Sequence, residues 1–134
     1  MTPLFADSSF YVALLNRRDA RHAQARAIAA AARRRILVTE FVLLETGNAL
    51  GAWPQARWEF LALVRRLRES PSTHIVPATS DLLQQGLDLY GERDDKLWSV
   101  TDCISFVVMR QHGLTEALTA DHHFEQAGFT VLLK

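Results

Sequence analysis

Short apolar runs alternate along the chain with longer stretches in which apolar and polar residues repeat at helical spacing. The apolar runs have the length of strands, and we expect strands at residues 4–6, 36–38, 73–76, 114–119 and 129–132. The longer stretches predict helices at residues 10–15, 19–34, 39–50, 54–68, 80–90 and 101–111, with a helical turn at 121–127. The polar, charged residues 91–97 predict a loop. Because strands that alternate with helices are joined by right-handed crossovers, the pattern predicts a three-layer α/β/α domain around a central, mostly parallel sheet of about five short strands.

Residues that commonly begin or end helices support these bounds. Asp19 is a favourable cap for the alanine-rich helix, Thr39 opens the helix after the second strand, and Pro54 suits the first turn of the next helix. Gly51 and Gly113 each follow a predicted helix, where a glycine often ends it. The helices are therefore delimited by local sequence as well as by periodicity.

Length and composition indicate one globular domain. The chain has 134 residues, and no linker rich in glycine, serine or proline divides it, so we expect a single domain over residues 1–134. Apolar residues make up 49% of the chain, which is enough for a hydrophobic core. The single cysteine, Cys103, excludes an intrachain disulfide and a thiolate metal cage, and its apolar surroundings predict a buried thiol. No apolar run approaches the ~20 residues of a membrane span and no export signal is visible, so we expect a cytoplasmic protein without a membrane partner.

The charge balance gives little direct information about a partner. Lysine and arginine number 15, as do aspartate and glutamate, so the formal net charge is zero. Arginines nevertheless occur in runs at residues 17–18, 33–35 and 65–66. The planar guanidinium suits phosphate, but arginine is also an ordinary residue on solvated helices, and the zero balance favours the second interpretation.

Three aspartates stand where the fold would direct them to one edge of the sheet. Asp7 ends the first strand, Asp121 lies two residues past the fourth, and Asp102 begins the helix that leads to the fourth. In open α/β sheets ligands bind beyond the carboxyl ends of the strands. Because converging carboxylates repel one another unless protons or a cation neutralise them, the arrangement predicts a site for a hard divalent cation.

Glu45 is a fourth candidate acid, although no predicted strand end positions it. It lies inside a helix beside the apolar residues 42–44, and it shares a helical face with Phe41 and Asn48. Because an unpaired buried charge is costly, we expect this carboxylate to have a partner. The fold argument leaves its distance from the three aspartates open.

Ordinary structural roles are also open to the four acids. Asp7 and Asp121 could cap helices, and Asp102 could close a capping box with Ser99. Glu45 could pair with an arginine on a neighbouring helix. Capping does not require three aspartates to converge on one sheet edge, however, so the set as a whole favours the cation site.

The five histidines add little at this stage. His122 and His123 follow Asp121 directly, which would suit a transition metal. Adjacent residues of a helical turn point to different sides, however, and no third histidine has a recognisable ligand spacing. We therefore expect this pair to lie at the surface or to support the site indirectly. The other three, His22, His74 and His112, are isolated in the sequence.

Four motifs in this order resemble those of the PIN-domain ribonucleases, of the type that acts as the VapC toxin of bacterial toxin–antitoxin pairs. The motifs are FADSS at residues 5–9, VTEFVLLE at 38–45, SVTDC at 99–103 and LTADHHF at 118–124, and the segment FEQAGF at 124–129 is also typical. The resemblance extends over essentially the whole chain. It implies a PIN-like α/β fold and a metal-dependent endoribonuclease.

The resemblance identifies Asp7, Glu45, Asp102 and Asp121 as the acidic quartet that binds Mg²⁺ or Mn²⁺ and carries out catalysis. All four acids are present, which is evidence against an inactive member of the family. Since Mg²⁺ keeps several waters and binds through one or two carboxylates, we expect Asp7 and Asp102 to be the most direct ligands. Asp121 and Glu45 would complete the shell and orient the attacking water.

The resemblance also implies supporting residues and partners. Ser8, Ser99 and Thr101 match polar positions that support the site. The family implies a homodimer, a cognate antitoxin protein whose C-terminal segment blocks the site, and cleavage of single-stranded or loop RNA that leaves a 5′-phosphate and a 3′-hydroxyl. We expect nearby cationic residues to guide the RNA backbone, and the candidates are Arg17, Arg18, Arg93 and Lys96.

Other classes that gather acids at a sheet edge fit less well. A phospho-acceptor receiver domain needs a lysine near the acids after a late strand, and the chain has only Lys96 and Lys134. A phosphatase of the haloacid-dehalogenase type needs an aspartate two residues after Asp7, where Ser9 stands. A solitary PIN-domain nuclease of RNA processing, or a module that binds RNA or protein without cutting, stays open as an alternative.

Overall fold

A five-stranded sheet forms the centre of the molecule. The computed structural model describes residues 2–31, 33–51 and 54–134. The strands are β1 (Leu4–Ala6), β2 (Ile36–Thr39), β3 (Thr73–Val76), β4 (Glu116–Leu118) and β5 (Thr130–Val131). Their order in the sheet is β3-β2-β1-β4-β5, and all four pairings between neighbours are parallel.

In the part of the chain that the structure describes, seven helices connect and cover these strands. They are α1 (Ser8–Leu15), α2 (His22–Ala31), α3 (Glu40–Leu50), α4 (Pro54–Glu69), α5 (Ser80–Glu92), α6 (Val100–Gln111) and α7 (His122–Gln126). Helix α1 contacts α2, α3 and α4, and α3 contacts α4; helix α6 packs on α5 and α7 and also contacts α3. Since right-handed crossovers change face when the direction of strand addition reverses, α1 to α4 cover one face of the sheet and α5 to α7 the other. The predicted three-layer α/β/α architecture is confirmed.

The sheet has a topological switch point between β1 and β4. From β1 the chain adds β2 and β3 on one side, and it then crosses over to add β4 and β5 on the other. The connections that leave β1 and β4 therefore run to opposite faces and leave a crevice between them at the carboxyl edge. Asp7 directly follows β1, and Asp121 follows β4 after two residues.

The predicted elements all exist, and several of their bounds differ. The alanine-rich helix begins at His22, because residues 19–21 form a turn in which Asp19 Oδ1 accepts the Arg21 amide at 2.8 Å. Its end at Ala31 is also earlier than predicted, and Ala32 lies outside the described residues. Arg34 belongs to no helix, and its guanidinium binds the Thr2 carbonyl and Glu116.

The later bounds differ for equally local reasons. Gly91 and Glu92 extend α5 into the segment predicted as a loop. The fourth strand is shorter than predicted, because the Leu114 amide donates to Met109 O at 2.9 Å and closes the end of α6, with Gly113 at a φ of 66°. In the described part of the chain, no helix is both long enough and apolar enough to cross a membrane.

Candidate active site at the carboxyl edge of the sheet

Asp7 lies at the centre of the carboxyl edge and is only 4% exposed. It occupies the N-cap position of α1, yet its side chain makes no capping hydrogen bond. Instead, Oδ2 accepts hydrogen bonds from Thr119 Oγ1 at 2.8 Å and Ser9 Oγ at 3.3 Å. The alternative that the Asp7 side chain caps α1 is therefore wrong.

Thr119 connects the ends of β1 and β4, and sequence reasoning missed it. It is fully buried, and besides donating to Asp7 its hydroxyl accepts the Asp121 amide at 3.0 Å. It also lies 3.0 Å from Ser9 Oγ, which accepts the Ala120 amide. A hydroxyl residue two positions before an acid, at the end of a strand, is the signal that could have identified it.

Glu45 reaches the same edge from the second turn of α3. That helix is capped by Thr39, whose Oγ1 accepts the Val42 amide at 3.0 Å. Ser8 Oγ donates to Glu45 Oε1 at 2.5 Å, which joins the start of α1 to α3. Among the residues that the structure describes, no arginine pairs with Glu45, so the alternative of an interhelical ion pair is wrong there.

Asp102 combines a capping role with a place at the site. Its Oδ2 accepts the Ser99 amide at 3.1 Å while Ser99 Oγ accepts the Asp102 amide at 3.0 Å, which is a complete capping box. The same Oδ2 lies 3.1 Å from His123 Nδ1. Asp102 is buried, and the cap and the contact with His123 together determine how its carboxylate is oriented.

Asp121 caps α7 and is surrounded by histidines. Its Oδ1 accepts the His123 amide at 2.9 Å, and it lies 3.3 Å from His123 Nδ1 and 3.8 Å from His122 Nδ1. The expectation that the two imidazoles point to different sides is wrong, because both approach the same carboxylate and their centroids are 4.5 Å apart. Phe124, fully buried against Phe5 and Phe106, holds this short helix on the core.

Two of the four acids, Asp7 and Asp102, have raised pKa values, partly because neighbouring acids repel their negative charge. The pKa of Asp7 is raised to about 6, mainly by burial and in smaller part by the charges of Glu45 and Asp102, against the lowering effect of the Thr119 hydroxyl and the Ser8 amide. The pKa of Asp102 is also raised, first by burial and then by Asp121, against the Ser99 amide and His123. Within the described ranges, the histidines beside Asp121 are the only basic groups at ion-pair distance from any of the four acids.

The donor set fits a hard divalent cation. In each carboxylate the hydrogen bonds gather on one oxygen: Oδ2 of Asp7, Oε1 of Glu45, Oδ2 of Asp102 and Oδ1 of Asp121. No side-chain hydrogen bond between the described residues ends on the second oxygen of any of the four, and oxygen is the ligand that Mg²⁺, Ca²⁺ and Mn²⁺ prefer.

The acids do not form a closed cage. The only three candidate ligand atoms within 4.8 Å of one another, over the residues described, belong to Asp121, His122 and His123. Thr119 connects Asp7 to Asp121 and His123 connects Asp102 to Asp121, whereas Glu45 binds Ser8, the residue that follows Asp7 in the chain. Such an open arrangement suits an ion that keeps waters and binds substrate oxygens.

The cationic candidates differ in their availability. Arg93 is bound to Asp95 at 2.9 Å and stacks over Trp98, with 5.0 Å between the guanidinium carbon and the ring centroid. Arg17 and Arg18 are exposed and line a groove of about 540 Å³ between α1, α3 and α4. Val12 and Ala49 also line it, each one helical turn beyond Ser8 and Glu45 respectively, so the groove begins close to the acids.

Comparison with known proteins identifies the family. The sequence matches the PIN domain family over residues 4–130. Over 126 residues it is 33% identical to the 23S rRNA-specific endonuclease VapC20 of Mycobacterium tuberculosis, which covers 94% of this chain and 95% of that protein. The chain belongs to the PIN-domain family. Nucleases of this family generally depend on divalent metal ions, and this chain carries the acidic cluster.

Solved structures agree with this assignment. The crystal structure of Mycobacterium tuberculosis VapC20, described as a sarcin–ricin loop cleaving toxin, superposes with a TM-score of 0.86 at 31% identity, covering 98% of this chain and 99% of that one. FitAcB from Neisseria gonorrhoeae has a TM-score of 0.65 at 16% identity and covers 96% of both chains. VapBC2 from Rickettsia felis, bound to a DNA fragment from their promoter, has a TM-score of 0.66 at 10% identity and covers 98% of both. At such low identity, the last two likenesses show the fold alone.

Proposed function

We propose that this chain is a metal-dependent endoribonuclease and the toxin component of a toxin–antitoxin pair. The main support for the proposal is that Asp7, Glu45, Asp102 and Asp121 lie around the β1–β4 switch point and that, among the described residues, the side-chain hydrogen bonds of each engage only one of its two carboxylate oxygens. The raised pKa of Asp7 supports the proposal, because burial makes its negative charge costly and a bound cation would offset that cost.

Mg²⁺ or Mn²⁺ is the ion that best fits this donor set. Asp7 and Asp102, the two most buried acids of the quartet, would hold it directly. A bound divalent ion supplies a water of lowered pKa and a Lewis acid for the phosphoryl oxygens. Glu45 and Asp121, each anchored through one oxygen, can use the other to accept a proton from the attacking water or to orient it.

The substrate we propose is a loop of 23S ribosomal RNA. The relative VapC20 is a 23S rRNA-specific endonuclease, and its structure is described as that of a sarcin–ricin loop cleaving toxin. The shared sequence and backbone extend over nearly the whole of both chains, so the surfaces around the site have the same framework. Single-stranded RNA loops expose bases and backbone together, which suits an open site at a sheet edge.

The groove between α1, α3 and α4 offers a path for the RNA backbone. Arg17 and Arg18 are exposed on its wall, and it begins one turn from Ser8 and Glu45. Phosphates placed along it would lead toward the acids, since the guanidinium forks suit phosphate oxygens. Arg93 is less suited to this role, because its guanidinium is occupied by Asp95.

The direct test uses purified protein and 23S ribosomal RNA. We expect cleavage in a loop with Mg²⁺ or Mn²⁺, with 5′-phosphate and 3′-hydroxyl ends, and no cleavage after chelation. Asp7→Asn and Asp102→Asn, purified in the same way, should be inactive while retaining the fold. Equal cleavage by wild type and both variants, or cleavage unaffected by chelator, would overturn the proposal.

A toxin of this kind needs a neutralising partner, and we propose a cognate antitoxin that covers the site, together with a homodimeric assembly. The toxin description of the VapC20 structure supports the first part. Several large apolar side chains are exposed on α3 and α4, which supports a protein interface: Leu44, Trp58 and Leu61. Co-expression with the product of a small adjacent reading frame should yield a stable complex without ribonuclease activity, and light scattering should report a dimer of the chain alone.

A further inference from the structure

His123 lies between two of the four acids and contacts both of them. Its Nδ1 is 3.1 Å from Asp102 Oδ2 and 3.3 Å from Asp121 Oδ1. Its backbone amide donates to Asp121 Oδ1 at 2.9 Å. A single residue thus connects the carboxylate that starts α6 with the carboxylate that starts α7.

We propose that His123 is a positioning residue for the metal site. The Nδ1–H group donates to Asp102 Oδ2 and turns the free Oδ1 toward the ion, while the backbone amide holds Asp121 in the same way. Hydrogen bonds of this kind orient ligands and raise metal affinity, and their loss typically costs about tenfold or more. The inference rests on the proposed metal-dependent function.

The surroundings of His123 make this role specific to its side chain. The imidazole is 20% exposed, whereas that of His122 is 73% exposed. Phe124, the next residue, is fully buried in the core and holds the turn in place. In the described chain the only other hydrogen bond to the Asp102 carboxylate comes from the Ser99 amide, and it ends on the same oxygen. Loss of the imidazole would therefore leave the carboxylate held from one direction only.

The main competing role for His123 is direct ligation of the metal, together with Asp121 and His122. The three ligand atoms lie within 4.8 Å of one another. The two roles differ in what a substitution at position 123 should do. Asparagine carries an N–H donor at the place of Nδ1, so it can preserve a hydrogen bond to Asp102, but its amide nitrogen is a poor metal ligand.

The experiment measures Mn²⁺ affinity of the RNA-free protein by calorimetry, together with electron spin echo spectra of the bound ion. His123→Ala should weaken Mn²⁺ binding roughly tenfold, and His123→Asn should restore most of it. His112→Ala is the control, because His112 is exposed at the far end of α6 from Asp102, and it should bind Mn²⁺ as wild type does. Melting temperatures establish that each variant is folded. RNA cleavage by His123→Ala should recover substantially at saturating Mn²⁺, with KM for RNA little changed.

The outcomes separate this inference from the function on which it rests. Wild-type affinity in His123→Ala would overturn the positioning role, as would equal losses in His123→Ala and His123→Asn. A nitrogen coupling to Mn²⁺ that disappears in both variants would assign direct ligation instead. Absence of Mn²⁺ binding by the wild type would also overturn it. If the wild type binds Mn²⁺ with the expected variant pattern but cuts no RNA, the positioning role stands and the nuclease function fails.

Discussion

Thr119 Oγ1 donates a hydrogen bond to Asp7 Oδ2 at 2.8 Å, and this bond joins the ends of the two strands that flank the switch point of the sheet. The same hydroxyl accepts the amide of Asp121 at 3.0 Å. The spacing of the first and last acids of the quartet is therefore set by one buried side chain. A metal site built from separate chain segments needs such a connection to keep its ligands at fixed distances.

Thr119→Val keeps the shape of the side chain and removes the hydroxyl. We expect a loss of about 1–3 kcal/mol in the free energy of unfolding, because a buried carboxylate oxygen and the Asp121 amide lose a partner. Mn²⁺ affinity should also fall, since Asp7 and Asp121 are no longer held together. Chemical denaturation and calorimetry measure the two effects. Thr119→Ser retains the hydroxyl and should be close to wild type in affinity; a Thr119→Ser protein as impaired as Thr119→Val would contradict this account.

Asp7→Asn should stabilise the metal-free protein at neutral pH. The pKa of Asp7 is raised from 3.8 to about 6 in the folded state, mainly by burial. The folded protein therefore holds this proton over a pH range in which the unfolded chain has lost it, and stability falls as pH rises from about 4 to about 6. The asparagine has no proton to lose, so its advantage over wild type should grow across that window to at most about 3 kcal/mol.

The measurement is the free energy of unfolding of both proteins in chelator, at pH 4 and at pH 7. The difference between the free energies of unfolding of the two proteins at each pH removes the contribution of the other titrating groups. The difference should be small at pH 4 and should favour Asp7→Asn at pH 7. A difference that does not change with pH would show that the ionised Asp7 is not destabilising, and would remove one reason to expect a cation beside it.

Much of the fold and part of the site could be predicted from local sequence. The positions of Asp7 at a strand end and of Asp102 in the first turn of a helix are confirmed, because such ends are marked by nearby residues, such as the Ser99 that caps α6. The helix bounds at Thr39 and Pro54 were also correct for this reason. The predicted fourth strand is longer than β4, because Leu114 first closes the end of α6.

The remaining features depend on contacts between distant segments, which one sequence does not encode locally. The hydrogen bond between Ser8 and Glu45 depends on how α1 and α3 pack against each other. The orientation of His123 depends on how Phe124 enters the core, and periodicity in a five-residue helix cannot determine it. Thr119 acts across the sheet on a residue 112 positions away. These tertiary contacts determine how the carboxylates are oriented, whereas the order of strands and helices in the sequence determines that they lie at the carboxyl edge of the sheet.

Arg17→Ala and Arg18→Ala should weaken RNA binding, because each removes a guanidinium that can neutralise a phosphate. Each variant should lower the slope of log affinity against log salt by roughly 0.7 for every phosphate that is no longer neutralised, with little effect on Mn²⁺ affinity. The slope is measured by filter binding of RNA to proteins that carry each arginine substitution together with Asp7→Asn, so that the RNA is not cleaved. Arg110→Ala is the control, because Arg110 is exposed near the far end of α6, eight residues or about 12 Å along the helix from Asp102. An equal change in the Arg110 variant would assign the effect to overall charge, and an unchanged slope in both groove variants would exclude this path for the RNA.

The central claim is that four carboxylates from separate segments form one divalent-ion site that cuts RNA. It is tested most directly by titrating Mn²⁺ into wild type and into Asp7→Asn, Glu45→Gln, Asp102→Asn and Asp121→Asn, and by assaying the same samples for cleavage of 23S ribosomal RNA. Asp94→Asn is the control, since Asp94 is exposed in the loop before Trp98. We predict that each of the four substitutions weakens Mn²⁺ binding and abolishes or strongly reduces cleavage, while Asp94→Asn changes neither. Wild-type binding and cleavage in the four variants, or equal losses in Asp94→Asn, would contradict the account.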